Sequence, residues 1–462
     1  MIAVVGGGLA GITAALDLAG AGRQVVLLEG RNRLGGATWS FRRKGLWFDN
    51  GQHVFLRCCT EYRRLLDRIG AGGLVRVQDR LDVPVLAPGG PAGRLRRRSW
   101  PAPLHLGPSL ARYPHIGPVD RLRLGRAALP LARLDLDDPT LDEVTFADWL
   151  RARGQSDRAI ATLWDLITLP TVNLHADEAS LALAAKVFQT GLLTRSDAAD
   201  IGWSQVPLGA LHGEPAAAAL AASGVDVRLG ARVTAVRPVA GGLAVEAGGH
   251  GLLCEAVVLA VPHQAAAWLL PPESRPDPAE LPRLGASPIV NVAVVLDRRV
   301  TDLEMVAVVD SPLQWVFDRT QQSGLERGQC LAVSLSGADR WLGRRPEELV
   351  AVMTSALAEV FPAVVDAAVV DAVVTRERTA TFRGGPGSRS LRPGPVTSVP
   401  GLYLAGAWAD TGWPATMEGA VRSGAAAARA LLDRQAVAAA VPPGPPSPPE
   451  PSGAHRTQEA VA

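Results

Sequence analysis

The chain has 462 residues, more than one simple hydrophobic core organises, so two intertwined or sequential domains are expected. Its formal net charge is +2, and its 47 basic residues include just two lysines, Lys44 and Lys186. That is a whole-genome composition bias rather than a polyanion-binding signature, and no nucleic-acid partner is expected.

The opening stretch MIAVVGGGLAGITAALDLAGAG lacks a basic leader and is split by Gly6, Gly7, Gly8 and Gly11, so it does not read as a signal peptide. It reads as a buried strand, a glycine turn and a helix over Leu9–Ala21, and RQVVLLEG reads as a second strand. This is a βαβ unit opening a doubly wound α/β sheet. GLWFDNGQHVFL is extended, and CTEYRRLLDRIGA has the three-and-four spacing of a helix.

From Leu74 to Arg133 the pattern loosens, with recurrent Pro and Gly and eleven arginines against three aspartates. GRLRRRSW is its densest run, and the stretch reads either as a solvated loop or as a basic rim meeting anionic lipid headgroups. Helices follow. TLDEVTFADWLRARG opens on a capping box of Thr140 and Glu143, SDRAIATLWDLITLP comes next, and DEASLALAAKVFQTGLL is amphipathic and greasy. Strands return in SGVDVRLGARVTAVRP, GLLCEAVVLAVPH, VNVAVVL and CLAVSLS; then come a helix in PEELVAVMTSALAEVF and a strand in AVVDAVVTRERTATF. Near the end, a strand over Leu402–Ala405 breaks at Gly406, and a small-residue helix begins near Thr416.

Sheet signals at the start, middle and end imply a nucleotide-binding domain assembled from residues 1–75, 205–270 and 395–435. A second, α+β domain is inserted as 76–204 and 271–394. Residues 436–462 are Pro-rich without a core pattern and are expected to be disordered. No run of about twenty uncharged apolar residues occurs, so a soluble or peripheral protein is expected. Cys58, Cys59, Cys254 and Cys330 have neither zinc-ligand nor disulfide-framework spacing; they read as small side chains in a reducing compartment.

The chemistry begins at Gly6-x-Gly8-x-x-Gly11, between strand and helix. Gly6 allows the tight turn, Gly8 lets the backbone approach a pyrophosphate, and Gly11 lets helix and strand pack. Glu29 ends the second strand, where a carboxylate binds both ribose hydroxyls; this speaks against a 2′-phosphate. Arg31 then lies along the adenosine side, and Gly35-Gly36 gives a second close backbone approach.

This extended fingerprint resembles the amine oxidase and phytoene desaturase superfamily of flavoproteins. The resemblance implies a discontinuous Rossmann-like FAD-binding domain with an inserted substrate domain, and FAD bound noncovalently. It also implies that Val233, in ARVTAV, lies near the adenine and that AVVLAVP, ending at Pro262, delivers a loop near the flavin. At the C-terminus it implies that Gly406 ends the closing strand and that the Met417-Glu418-Gly419 helix start points backbone N–H groups at the flavin's pyrimidine end. A helix N-terminus there stabilises the charge of reduced flavin. The chain departs from the pattern twice. Ala37 stands where an arginine usually follows the paired glycines, leaving Arg33 or backbone amides for one pyrophosphate contact. Ala407 stands where an acidic residue is usual, with Asp410 three residues on as a substitute.

FDNGQHVFLRCCTEYRRLLDRIGA, LPTVNLHADEASLALAAKVFQTGLL and DTGWPATMEGAVRSG closely resemble the hydroxysqualene dehydroxylases, along nearly all of the chain except the tail. That resemblance implies reductive removal of a hydroxyl from hydroxysqualene to give squalene. Such a site needs an apolar tunnel, one proton donor and little water. His53 and Asp410 are the candidate general acids, Gly51 and Gln52 are candidate flavin contacts, and Trp408 and Trp413 flank the flavin turn. A triterpene substrate implies transient membrane contact at the inner face of the cell membrane, and an external electron donor. The Ala179–Leu193 helix reads either as core or as part of a substrate-access rim. Other readings are a carotenoid-type desaturase, an amine oxidase, and an isoprenoid escort protein without flavin.

Overall fold

The computed structural model describes residues 1–440. Its first sheet has five parallel strands in the order Asp226–Arg228, Val25–Leu28, Ile2–Val5, Ala256–Leu259 and Leu402–Leu404. The central strand pairs Ile2 with Val25 on one side and with Ala256 on the other. Three well-separated stretches of chain therefore meet in one sheet, the first strand at its centre.

The unbroken apolar runs IAVV, VVLL and AVVL follow from burial on both faces. Side chains alternate across a strand, so Ile2 and Val4 face one core, while Ala3 and Val5 face the other. The first core is closed by the Leu9–Gly20 and Met417–Ala440 helices, the second by an antiparallel sheet of Val233–Val239, Gly242–Ala247 and His250–Cys254. The two helices touch tightly: a Cβ on Gly424 would overlap the Ala10 carbonyl. The C-terminal helix runs to Ala440, past the expected start of the tail at 436; the rest of that tail lies outside the described residues.

A second sheet has seven strands, ordered Val369–Thr381, Ser287–Leu296, Gln329–Leu335, Trp315–Asp318, Met305–Val308, Asp82–Leu86 and Gly93–Arg96. Its last two strands come from the stretch that reads as loose in sequence. There Val83, Val85, Gly93 and Leu95 alternate inward. The arginines that disguise the pattern are paired outside: Arg94 donates to both carboxylate oxygens of Asp82, and Arg96 faces Asp82 across the ladder at 3.3 Å. Arg97 reaches the fully buried Asp200, which also accepts from Arg57 and from the Leu81 amide. The first half of GRLRRRSW is thus an edge strand, neither a solvated loop nor a free basic rim.

The inserted helices differ from expectation at two points. Thr145, not Thr140, caps the Phe146–Arg151 helix, its Oγ1 accepting from the Asp148 amide; Thr140 sits in a 3₁₀ turn capped by Asp138. The Leu181–Phe188 helix, continued by a π turn to Leu193, is a core element: Leu181, Leu183, Ala184, Ala185, Phe188 and Leu192 are buried. It does not form a rim. Strand Ile201–Ser204 then pairs with Val54–Leu56, which holds the preceding Asp49–His53 loop at the junction of the two sheets.

Candidate active site

The glycine turns have different structural demands. Gly6 has φ +108°, and a Cβ on Gly6 or Gly11 would strike backbone, so packing alone requires both glycines. Gly8 differs. A Cβ there would meet nothing nearer than the Gly36 Cα, at 3.7 Å. Gly36, with φ +58°, lies so close that its own Cβ would come within 2.7 Å of the Gly8 Cα. Gly35, at φ +97°, donates its N–H to the Gly7 carbonyl. Gly8 and Gly35-Gly36 therefore form one glycine-lined concavity at the start of the Leu9–Gly20 helix, whose first turn has no acidic residue. Such a place accepts an anionic group without further adjustment.

Glu29 ends its strand beside this turn. Its Oε2 accepts from the Gly7 amide and its Oε1 from the Arg31 amide, both at 2.7 Å, so the carboxylate also fixes the turn. The Arg31 side chain is exposed. Arg33, not Arg31, is the cation held at the second glycine pair. It donates to the Gly36 carbonyl at 3.1 Å and lies over the Trp39 ring, and burial lowers its pKa. Val233 follows Ala231, whose amide donates to the Glu29 carbonyl, so it stands along the same edge as Glu29.

At the other end of the chain, Gly406 (φ +142°) lies against the Trp408 indole, which leaves no room for a side chain. Its N–H is taken by Ser423 Oγ. Buried Arg392 ties the following turn by donating to the carbonyls of Trp408, Ala409 and Trp413, and Trp408 Nε1 donates to Val261, just before Pro262. Thr416 Oγ1 caps the next helix at the Gly419 amide. Among the described residues, the amides of Met417 and Glu418 have no acceptor, so this helix start presents free donors.

The side chains of Glu418 and Asp410 are both engaged within the fold. The Glu418 side chain is 1 % exposed and points away into the core, where it accepts from the amides of Glu61 and Tyr62 and from Arg422. It caps the Thr60–Arg68 helix, so Glu418 can offer a cofactor its backbone alone. Asp410 Oδ1 accepts from the Gly412 amide, so this carboxylate also holds its own turn.

The GQH segment is clamped from two sides. Asn50 bonds Ala37, Trp39 and Glu377, and its carbonyl accepts from Asn291 and Thr375 of the seven-stranded sheet. Asp49 accepts from Ser40 and the Leu208 amide and forms a buried ion pair with Arg319 at 2.7 Å. His53 Nδ1 lies 3.2 Å from the Gly51 carbonyl, which assigns the Nδ1–H tautomer and leaves Nε2 as the working nitrogen. Desolvation holds this ring below the ordinary histidine range, the Gly51 contact partly opposing it. Gln52 lines a cavity of about 20 Å³ with Asp49, Asn291, Arg319 and Gln322. Asn291 Oδ1 and Gln322 Oε1 are buried there without partners. That volume suits one water molecule.

Sequence reasoning did not single out Arg319, Asn291, Arg392 or His212. The arginines are hidden by the abundance of arginine elsewhere. His212 sits in an alanine-rich helix and has no local motif; it is buried against the Tyr62 hydroxyl at 2.8 Å, and desolvation pushes its pKa down to about 3.

The cradle fits a dinucleotide cofactor: Gly8 leaves space against Gly36, and two helix starts offer unpaired amides. Residues 9–432 match the family described as flavin containing amine oxidoreductase. The chain belongs to that family. Within this flavoprotein family, it is 33% identical over 442 residues to the hydroxysqualene dehydroxylase of Rhodopseudomonas palustris, covering 93% of this chain and 97% of the relative. The hydroxysqualene dehydroxylase of Sinorhizobium fredii is 29% identical, with 93% and 97% covered. The 15-cis-phytoene desaturase of Narcissus pseudonarcissus is 24% identical, with 93% and 79% covered. Among solved structures, cyclohexylamine oxidase from Brevibacterium oxydans superposes with a TM-score of 0.70 at 20% identity over 94% of this chain and 99% of that one, a likeness of fold.

Proposed function

We propose that this flavoprotein removes the hydroxyl of hydroxysqualene reductively to give squalene, using FAD held noncovalently. The observation that carries this reading is the 33% identity to a hydroxysqualene dehydroxylase along almost the full length of both chains. When bound and reduced, FAD supplies the hydride that ends on the carbon losing oxygen. The protein's own residues do the rest. Gly8, Gly36 and Arg33 hold the pyrophosphate, Glu29 and Val233 hold the adenosine side, and the amides of Met417 and Glu418 favour negative charge on the flavin's pyrimidine end.

His53, protonated at Nε2, donates its proton to the hydroxyl oxygen as the C–O bond breaks, and the oxygen leaves as water. The water-sized niche beside Gly51 offers the unpaired oxygens of Asn291 and Gln322 to that water. The electrons come from an external donor. The substrate comes from the cytoplasmic face of a membrane.

A carotenoid-type desaturation is the second reading, favoured by the desaturase relatives at lower identity. It runs the redox chemistry the other way and needs oxidised flavin and an electron acceptor. Supplying the enzyme with hydroxysqualene and a reductant, and separately with squalene and an acceptor, tests the two. Squalene from the first incubation supports the dehydroxylase; a more unsaturated product from the second alone overturns it.

A further inference from the structure

The Pro118–Leu131 helix has two apolar faces. One is covered: Leu124, Ala127 and Leu131 are buried in the same core as Tyr113 and Phe146. On the opposite side Val119, Leu122 and Leu129 are 56 %, 85 % and 49 % exposed. Positions 119, 122, 126 and 129 recur at helical spacing, so these three side chains share one solvent face with Arg126. Trp100 and Leu104 add 53 % and 60 % exposure just upstream. The Gly107–Ala111 helix that follows is tied to the Pro118–Leu131 helix by Arg121, which donates to the carbonyls of Ala111 and Tyr113. Single exposed leucines are ordinary; five large apolar side chains within thirty residues are not.

The charge around these residues is predominantly positive. Residues 98–133 contain six arginines and one aspartate. The arginines upstream, Arg94, Arg96 and Arg97, are consumed by Asp82 and Asp200. In contrast, Arg98, Arg112, Arg123, Arg126 and Arg133 pair with no carboxylate among the described residues, and all five are exposed. Asp135 and Asp137, just past the helix, bound the patch at its far end.

We infer that this face docks the protein on an anionic lipid bilayer, with Val119, Leu122 and Leu129 entering the headgroup–acyl boundary and the unpaired arginines meeting lipid phosphates. A helix with a leucine-rich face flanked by arginines lies in the plane of a membrane surface, where apolar insertion and electrostatic attraction add. A second copy of the chain is a poorer occupant, because it would set the same unpaired arginines against one another. The Pro118–Leu131 helix lies within the Leu74–Arg133 stretch that reads as a basic rim, whereas the Ala179–Leu193 helix is core and the first half of the arginine run is a paired strand. The inference rests on the proposed function in one respect alone, that a membrane-dissolved triterpene is what the protein collects there.

The test is vesicle flotation of the purified full chain. The vesicles are phosphatidylcholine alone, or phosphatidylcholine with about a third phosphatidylglycerol. The expected result is flotation with the anionic vesicles, weakened by salt, and at least about tenfold weaker for Leu122→Glu/Leu129→Glu. Arg123→Gln/Arg126→Gln is expected to lose the preference for anionic lipid while still folding. Wild-type protein that floats with neither vesicle, or variants that float equally well, would overturn the inference. So would a wild-type dimer that Leu122→Glu/Leu129→Glu converts to monomer. Turnover of detergent-dispersed hydroxysqualene, expected to be unchanged in both variants, separates failure of docking from failure of the proposed reaction.

Discussion

At the scale of single residues, Gly8 and Gly11 of the first glycine motif do different work, and substitution separates them. Gly11→Ala puts a methyl into the Gly6 carbonyl and pushes helix from strand, so we expect a destabilised protein with a lowered Tm. Gly8→Ala meets only the Gly36 Cα at 3.7 Å, so the fold is expected to keep its Tm while flavin content, read from the visible spectrum, falls several-fold. If Gly8→Ala kept its flavin, the cradle would be misplaced. His53 gives the second residue-scale prediction. Its pKa is lowered by burial, so at pH 7 the ring is mostly neutral and the acid form grows as pH falls. With saturating reductant, turnover is expected to rise as pH drops from about 8 to about 6 and to fall about a hundredfold in His53→Gln, with flavin retained. A pH profile of the same shape in His53→Gln would remove His53 from proton transfer. These residues were legible because their signals are local: a strand, a turn and a helix within a few positions, or a histidine in a tight loop.

At the scale of elements, long-range pairing hid what the local pattern did not carry. Glu418 reads as part of a cofactor-facing helix start, yet its carboxylate caps a helix that begins about 360 residues earlier, at Thr60. Replacing it by Gln leaves one charge-assisted acceptor fewer for the amides of Glu61 and Tyr62 and unpairs Arg422. We expect a loss of about 1–3 kcal/mol in urea unfolding, with the flavin spectrum of the folded protein little changed. A large spectral change without loss of stability would instead place the side chain at the flavin. The edge strands Asp82–Leu86 and Gly93–Arg96 were hidden differently. Their inward alternation is correct for a strand, but Pro84 and the arginines imitate a loop until Asp82 is seen across the ladder. The capping box at Thr140 failed because Thr145 offers the same chemistry five residues later, immediately before a stronger apolar run. The buried Arg319–Asp49 pair spans 270 residues, which no local reading reaches.

At the scale of the whole molecule, the chain returns twice to the sheet it begins, and this return makes one site from distant ends. The Leu9–Gly20 and Met417–Ala440 helices pack at backbone contact through Gly424 and Ala10, with their N-terminal turns both rich in unpaired amides. The seven-stranded sheet closes the other side by gripping the Asp49–His53 loop through Asn291 and Thr375. The water-sized polar niche lined by Gln52, Asn291 and Gln322 lies where that loop meets the sheet.

The most direct measurement is a single turnover without oxygen. The purified holoprotein is reduced, mixed with hydroxysqualene, and followed in the visible flavin band while lipids are extracted. We expect oxidised flavin to return with a matching amount of squalene, one for one. Flavin that stays reduced beside untouched hydroxysqualene would contradict it.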